Sequence, residues 1–368
     1  VERASILQIV SGFKPSLDGM GDFARLLGDA LYRQHQIRSH FAIFKPAKSP
    51  LDPAEIAPNT FSYPASTDLA AFARAIESLA ASGSYSCALL HYGPYGYSPK
   101  GHPAPLVDAM EQLTARLPLI TFFHESYSSG PPWKRAFWTH REQRASAERL
   151  QRLSKASFTS NAKYMARMEP AQPAGRPLQR IPIFSNMGEP AALPLAARKR
   201  QLIIFGQLAT RIRLYQTRDM LPSLCRWLRI ESIVDIGSGS DPSIPDAITG
   251  IPLRRAGFLD DTAVSALLSE SIAGVVGYWP DVWEKSGVIA AYEAHALLPV
   301  LVSLEQRLLP KPAYAPYVEL EDLARLRNAE GYIPDEVLQG IVDASHAYYL
   351  ANQSITHCAD SIAAQILA

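Results

Sequence analysis

The sequence is marked first by what it has little of. Nowhere in its 368 residues does an apolar run approach the roughly 20 residues that span a bilayer. The N-terminal stretch lacks the basic-then-apolar build of a secretory signal, so a cytoplasmic location is expected, with the inner face of the membrane left open. Net charge is nearly absent: 36 basic against 35 acidic residues leave +1, and no nucleic-acid partner is expected from bulk charge, although local basic patches remain open. Only three cysteines occur, Cys87, Cys225 and Cys358, an odd number without metal-ligand spacing. They read as small buried apolar side chains in a reducing compartment. There is no fixed-period repeat, no low-complexity tract and no Asp-x-Asp motif of the metal-dependent kind, so no metal is expected.

What is present describes an ordinary globular protein, 47% hydrophobic and 19% charged, and long enough to favour two domains over one. Residues 5–10 read as a buried strand, followed by a loop through Gly19-Met20-Gly21-Asp22 and an amphipathic helix carrying Phe23, Leu26, Leu27, Ala30 and Leu31. Glycine lets a backbone come close to a ligand, and Asp22 either caps the helix or faces an acceptor hydroxyl. Further strands are expected at 40–44, 87–91 and 117–123, and a helix at 69–81. The segment YGPYGYSPKGHPAPL after His91 reads as irregular. The strand ending at Phe123 runs straight into His124-Glu125, the place where open α/β sheets collect chemistry. A structural hydrogen-bonding role is the alternative for His124.

Beyond it, SYSSGPPWKRAFW reads as a loop with an aromatic, basic tail. Its Trp133, Lys134, Arg135, Phe137 and Trp138 suit peripheral contact with a lipid headgroup or, more ordinarily, a solvated helix end. The Pro-, Ala- and Arg-rich segment 169–200 reads as a linker.

A second strand-helix series starts at Leu202. Arg211 and Arg213 follow its first strand, and either is suited to multi-point contact with phosphate oxygens. The sequence IVDIGSGSD imitates a dinucleotide loop, but Pro242 and Pro245 follow where a helix would have to open, so it reads as a turn. A Gly257-Phe258-Leu259 corner precedes a helix capped by Asp260-Asp261-Thr262. The stretch WEKSGVIAAYEAHALLPV, from Trp283, combines a Ser/Gly turn, a helix start and one carboxylate, Glu293. Amides at a helix start have no partner inside the helix and face the positive end of its dipole, which makes the turn an anion site. Helices are expected at 334–350 and 355–367.

The Gly19-Met20-Gly21-Asp22 loop, the YGPYGYSPKG loop, the strand ending in FHE and the late KSGVIAAYEAH block resemble, in this order and over nearly the whole chain, a GT-B glycosyltransferase of the family four type (glycosyl transferases group 1). The resemblance implies an α/β chain of two Rossmann-like doubly wound domains facing across a cleft. Residues 1–190 would form an acceptor-binding domain, 200–345 a nucleotide-sugar-binding domain, and 346–368 a C-terminal helix crossing back to the first. It implies Glu293 on the donor ribose, Ser286, Gly287 and Val288 at the phosphates and sugar, and Gly257, Phe258 and Leu259 against the base. His124 would reach the transferred sugar, Arg211 or Arg213 the diphosphate, and Gly21 the phosphates and acceptor.

The chain departs from the family in two places: Gln207 stands where many relatives have a basic residue after the strand glycine, a role left to Arg211 or Arg213, and the glutamate pair is changed. Relatives carry a second glutamate eight positions before the one matched by Glu293, whereas here that position is Lys285 and the nearest carboxylate, Glu284, lies nine back. On a helix those positions point differently, and Lys285 suits contact with a phosphate or an anionic sugar as a point charge. The expected activity is metal-independent, retaining transfer of a sugar from a UDP- or GDP-sugar to a hydroxyl of a glycan, glycolipid or small molecule, as in surface polysaccharide synthesis. The alternatives are a catalytically inactive GT-B-like binding or scaffold protein and a nucleotide-sugar epimerase.

Overall fold

The computed structural model describes residues 2–13, 19–45, 61–64, 68–217, 220–303, 311–313 and 315–368. The chain divides into two compact units, Val1–Pro182 with Ile355–Ala368, and Ile183–Ser354.

The first unit alternates strand and helix: β1 (Ala4–Gly12), α1 (Gly19–His35), β2 (Ile37–Lys45), β3 (Phe61–Pro64), α2 (Leu69–Ser82), β4 (Cys87–Tyr92), α3 (Pro94–Tyr97), α4 (Ala104–Thr114), β5 (Leu119–Phe123), α5 (Arg135–Leu153), β6 (Ser154–Thr159), α6 (Ala162–Met168) and β7 (Leu178–Arg180). Its sheet is wholly parallel, in the order β3-β2-β1-β4-β5-β6-β7. β4 and β5 are buried at every residue, as strands covered on both faces must be, and they read as unbroken apolar runs rather than alternating ones. In α1 the buried Phe23, Ala24, Leu27, Ala30 and Leu31 recur at helical spacing and form the face turned to the sheet.

The second unit contains β8 (Lys199–Phe205), α7 (Leu208–Gln216), α8 (Met220–Trp227), β9 (Ser232–Ile236), β10 (Ala247–Ile248), β11 (Ile251–Gly257), α9 (Asp261–Glu270), β12 (Ser271–Tyr278), α10 (Gly287–Ala294), β13 (Leu298–Ser303), β14 (Val318–Glu319), α11 (Leu320–Arg325) and α12 (Asp335–Asn352). Its sheet runs β10-β11-β9-β8-β12-β13-β14, parallel except for the antiparallel β10–β11 pair. Residue 345 lies inside α12, which continues unbroken to Asn352. The chain then returns to the first unit as α13 (Ile355–Leu367), which packs on α1. There Gln34 donates to Thr356 at 3.1 Å, and His35 Nε2 lies 2.8 Å from Asp360. No helix among the described residues is long and apolar enough to cross a membrane.

Three local expectations need correction. The Pro-rich segment after β4 is not irregular: it holds α3 and the start of α4. Pro94, Pro103 and Pro105 sit at helix starts, where a missing N–H leaves no bond unmade. α5 begins at Arg135, so Phe137 and Trp138 belong to its first turn rather than to a loop. The segment 169–200 is only partly a connector, because β7 forms the edge of the first sheet through pairing with β6. The expected cap at Asp260 is in place, accepting from Ala263 N at 2.8 Å, and Asn161 caps α6 in the same way, accepting from Tyr164 N at 2.9 Å.

Candidate functional site

In a doubly wound sheet the ligand end is the carboxyl edge, at the point where strand order reverses. In the second unit that point lies between β8 and β12. β8 ends in Gly206, at φ +138°, and β12 leads through Trp279 and a 3-10 turn, Pro280–Lys285, into α10. A β-carbon on Gly206 would stand 3.5 Å from Val288 Cγ2, so the first turn of α10 lies over the end of β8. Ser286 caps that helix, its Oγ accepting from Ile289 N at 3.3 Å. A β-carbon on Gly287 would meet nothing within 4 Å, which leaves the helix start open to a ligand.

The two arginines separate sharply. The Arg211 side chain is 2% exposed and committed inward. Its Nε donates to Gly206 O at 3.0 Å, Nη2 to Ser238 O at 2.6 Å, and Nη1 pairs with Asp235. Tyr215 donates to the other Asp235 oxygen at 2.6 Å. The expected phosphate clamp is therefore corrected for Arg211, which instead ties together the glycine turns after β8 and β9. Those turns need glycine: Gly237 has φ +147°, and a β-carbon there would meet Gly206 O at 2.3 Å. Arg213, two residues on and so on the opposite side of α7, is exposed, and its guanidinium lies 5.2 Å from the centre of the Trp279 ring. Trp279 in turn meets the Tyr278 ring edge-on at 5.5 Å. Lys285 is partly buried at the end of the 3-10 turn.

Gly257 ends β11 at φ +69°, and its carbonyl accepts from Gly237 N at 2.9 Å. Beyond it Phe258 is 72% exposed, whereas Leu259 packs partly into the core. Glu293 does not occupy the place expected of a ribose ligand. It is fully buried near the end of α10, and neither carboxylate oxygen has a hydrogen-bond partner. Burial first, and then the charge of Glu284, hold its carboxyl well above the ordinary carboxylate range. That coupling also corrects the dismissal of Glu284. Counting positions around a helix assumes a continuous helix, but the chain breaks between the 3-10 turn and α10 at Ser286 (φ −85°, ψ 105°), and both carboxyls are buried.

In the first unit the reversal lies between β1 and β4. Gly21, in the first turn of α1, abuts the end of β1, where a β-carbon would fall 2.0 Å from Gly12 O. Asp22 lies within this helix rather than at its cap, and residues 14–18 before it lie outside the described residues. His124 follows β5, its backbone N donating to Tyr92 O at 2.9 Å, and its Nε2 lies 3.1 Å from His91 Nδ1. Phe23 and Phe122 flank the ring at 4.9 and 4.6 Å. His91 Nε2 meets Gln8 Oε1 at 2.7 Å, and burial pushes the His91 imidazole down to about 3. His91, Gln8 and Trp279 escaped the reading of the sequence as site residues, and Glu284 was set aside there. A histidine and a glutamine within otherwise apolar strands were the signals that pointed to the first two. On the same unit Trp133 is 83% and Trp138 74% exposed, and Trp138 Nε1 donates to Pro132 O at 2.9 Å.

No protein-family model matches the chain, and no curated protein matches it in sequence. Solved structures do match in shape. An alpha-glucosyltransferase in complex with UDP-glucose and DNA containing an abasic site aligns at a TM-score of 0.61 and 11% identity, over 99% of this chain and 100% of the other. A UDP-N-acetylglucosamine 2-epimerase aligns at 0.56 and 9%, over 98% and 95%. MnaA of S. aureus with UDP aligns at 0.56 and 11%, over 98% and 95%. The alpha-glucosyltransferase has also been solved on a 13-mer DNA with UDP. These DNA complexes correct the expectation of no nucleic-acid partner. A net charge near zero, summed over the chain, says nothing about a local surface, and a protein of this shape carries DNA. Two Rossmann-like units with this strand order, matched over nearly their whole length by these structures, give this chain the GT-B fold.

Proposed function

We propose that the chain is a nucleotide-sugar glycosyltransferase of the family four kind, with its donor held at the carboxyl edge of the second unit. The observation that carries this reading is the open helix start at Ser286-Gly287-Val288, laid over the end of β8, with the exposed Arg213 on the Trp279 ring that leads into that turn. The first amides of α10 and the exposed guanidinium are donors suited to a diphosphate. As the glycosyl bond breaks, negative charge gathers on that leaving group. Donors fixed in place before the reaction stabilise the transition state more than the ground state. Phe258 offers an apolar face to the base, and His124 a ring to a substrate hydroxyl. The matched structures with UDP or UDP-glucose favour a uridine nucleotide.

The test is calorimetry with UDP and GDP on the native chain and on Gly287→Leu. The space beside Gly287 is empty, so leucine fits the fold and fills the ligand's place. Native binding that weakens about tenfold or more in the variant supports the reading. Absence of binding to either nucleotide in the native chain overturns it. The epimerase alternative draws on the matched UDP-N-acetylglucosamine 2-epimerase. Incubation with UDP-N-acetylglucosamine and no acceptor separates the two: an epimerase inverts one sugar carbon with UDP still attached, whereas a transferase releases UDP only when an acceptor hydroxyl is supplied.

A further inference from the structure

Inside the first unit four polar side chains form a line through an apolar core. Gln8 on β1 donates from Nε2 to Ser39 Oγ on β2 at 2.8 Å. Its amide oxygen therefore faces the other way, 2.7 Å from His91 Nε2 on β4. A carbonyl oxygen can only accept, so His91 carries a proton on Nε2. His91 is fully buried, and burial pushes its imidazole down to about 3, so it is neutral and has no second N–H. Its Nδ1 is then a lone pair, and at 3.1 Å the bond to His124 Nε2 has a single polarity: His124 donates.

We propose that His91 is a positioning residue for His124: the line from Ser39 through Gln8 and His91 fixes a proton on His124 Nε2. The two imidazoles lie 5.4 Å apart at 30°, and the Phe23 and Phe122 rings confine His124 in the same orientation. Tyr97 anchors the backbone beneath, donating to His91 O at 3.0 Å. In a substrate contact, a ring held in this way meets the substrate with Nδ1 rather than Nε2. This last step rests on the reading of His124 as a substrate contact. The proton assignment does not.

The experiment is a two-bond proton–nitrogen correlation spectrum of the full chain labelled with nitrogen-15 histidine, together with His91→Asn and His91→Phe. Asparagine places an acceptor oxygen where Nδ1 stood, and phenylalanine places none. The expected native spectrum shows Nε2–H on both rings. His91→Phe is expected to lose the single His124 tautomer and roughly 10- to 100-fold in kcat/KM, and His91→Asn to restore both. UDP, which lacks the transferred sugar, should bind all three proteins equally. An Nδ1–H on either ring of the native protein overturns the proposal, as does a His91→Phe protein with native tautomer and turnover. Should His91→Phe fail to fold, the native spectrum and His91→Asn decide. A native chain that binds neither UDP nor GDP defeats the glycosyltransferase reading instead, while the spectrum still judges the relay.

Discussion

Gly21 lies so close to Gly12 that a β-carbon at Gly21 would fall 2.0 Å from the Gly12 carbonyl oxygen. This approach sets the first turn of α1 against the end of β1. The obstacle is backbone, which cannot swing aside as a side chain can. Gly21→Ala is expected to lose about 1–3 kcal/mol or more, read from urea unfolding. Gly19→Ala is the control, because a β-carbon there meets nothing within 4 Å. Equal stability of the two variants would contradict this packing.

Arg211 and Arg213 lie two residues apart on opposite sides of α7, and their variants should differ in kind. Arg211→Ala leaves Asp235 buried without its cation and is expected to cost about 3–5 kcal/mol of stability. Arg213→Ala removes an exposed group, so stability should hold within about 0.5 kcal/mol. Its expected effect is on UDP affinity, weakened about tenfold in calorimetry. A stable Arg211→Ala protein with lost UDP binding would reverse the two roles.

Stability should respond to pH with opposing signs from two kinds of buried group. Glu293 is raised above its ordinary 4.5, so above that pH the unfolded chain releases a proton that the folded chain keeps. Its contribution therefore falls as pH rises, by about 1.4 kcal/mol per pH unit, until the folded group ionises. His91 and His295 are depressed from 6.5 to about 3 and about 4, so below pH 6.5 the unfolded chain takes up protons that the folded chain refuses. Their contribution is present above pH 6.5 and is lost as pH falls. Glu293→Gln should accordingly match the native protein near pH 4 and exceed it at pH 7. Urea titrations at several pH values check this, and an unchanged slope in the variant would show that Glu293 is ionised in the fold.

The three thiols are buried and outside any disulfide. Burial pushes the Cys87 thiol up to about 12 and the Cys225 thiol up to about 11. Thiolate is the reactive form, so Ellman's reagent at pH 8 should label the folded chain very slowly and reach three equivalents only in denaturant. Fast labelling of the native protein would mean that the core opens readily.

Much of the fold was legible because parallel strands buried on both faces leave unbroken apolar runs. CALLHY and LITFF announce themselves in this way, and helix caps such as Asn161 and Asp260 are local chemistry. The short β7 was missed because three partly buried residues carry no periodicity. In the candidate site, the turn at Ser286 and Gly287 was visible as a local pattern. The separate fates of Arg211 and Arg213 were not, because which arginine meets Asp235 depends on β9, more than twenty positions away in the chain.

The sequence by itself determined the alternation of strand and helix, the two series that make two units, and the glycine and serine turns at strand ends, because these follow from backbone chemistry and short-range periodicity. Only the tertiary structure decided which polar groups face a ligand and which face the core. Glu293 and Arg211 were drawn inward, and Ser39, Gln8, His91 and His124 were aligned across four different segments. The physical reason is that burial and hydrogen-bond pairing are properties of neighbours in space, and parallel pairing makes neighbours of residues such as Gln8 and Leu89 that lie far apart in the chain.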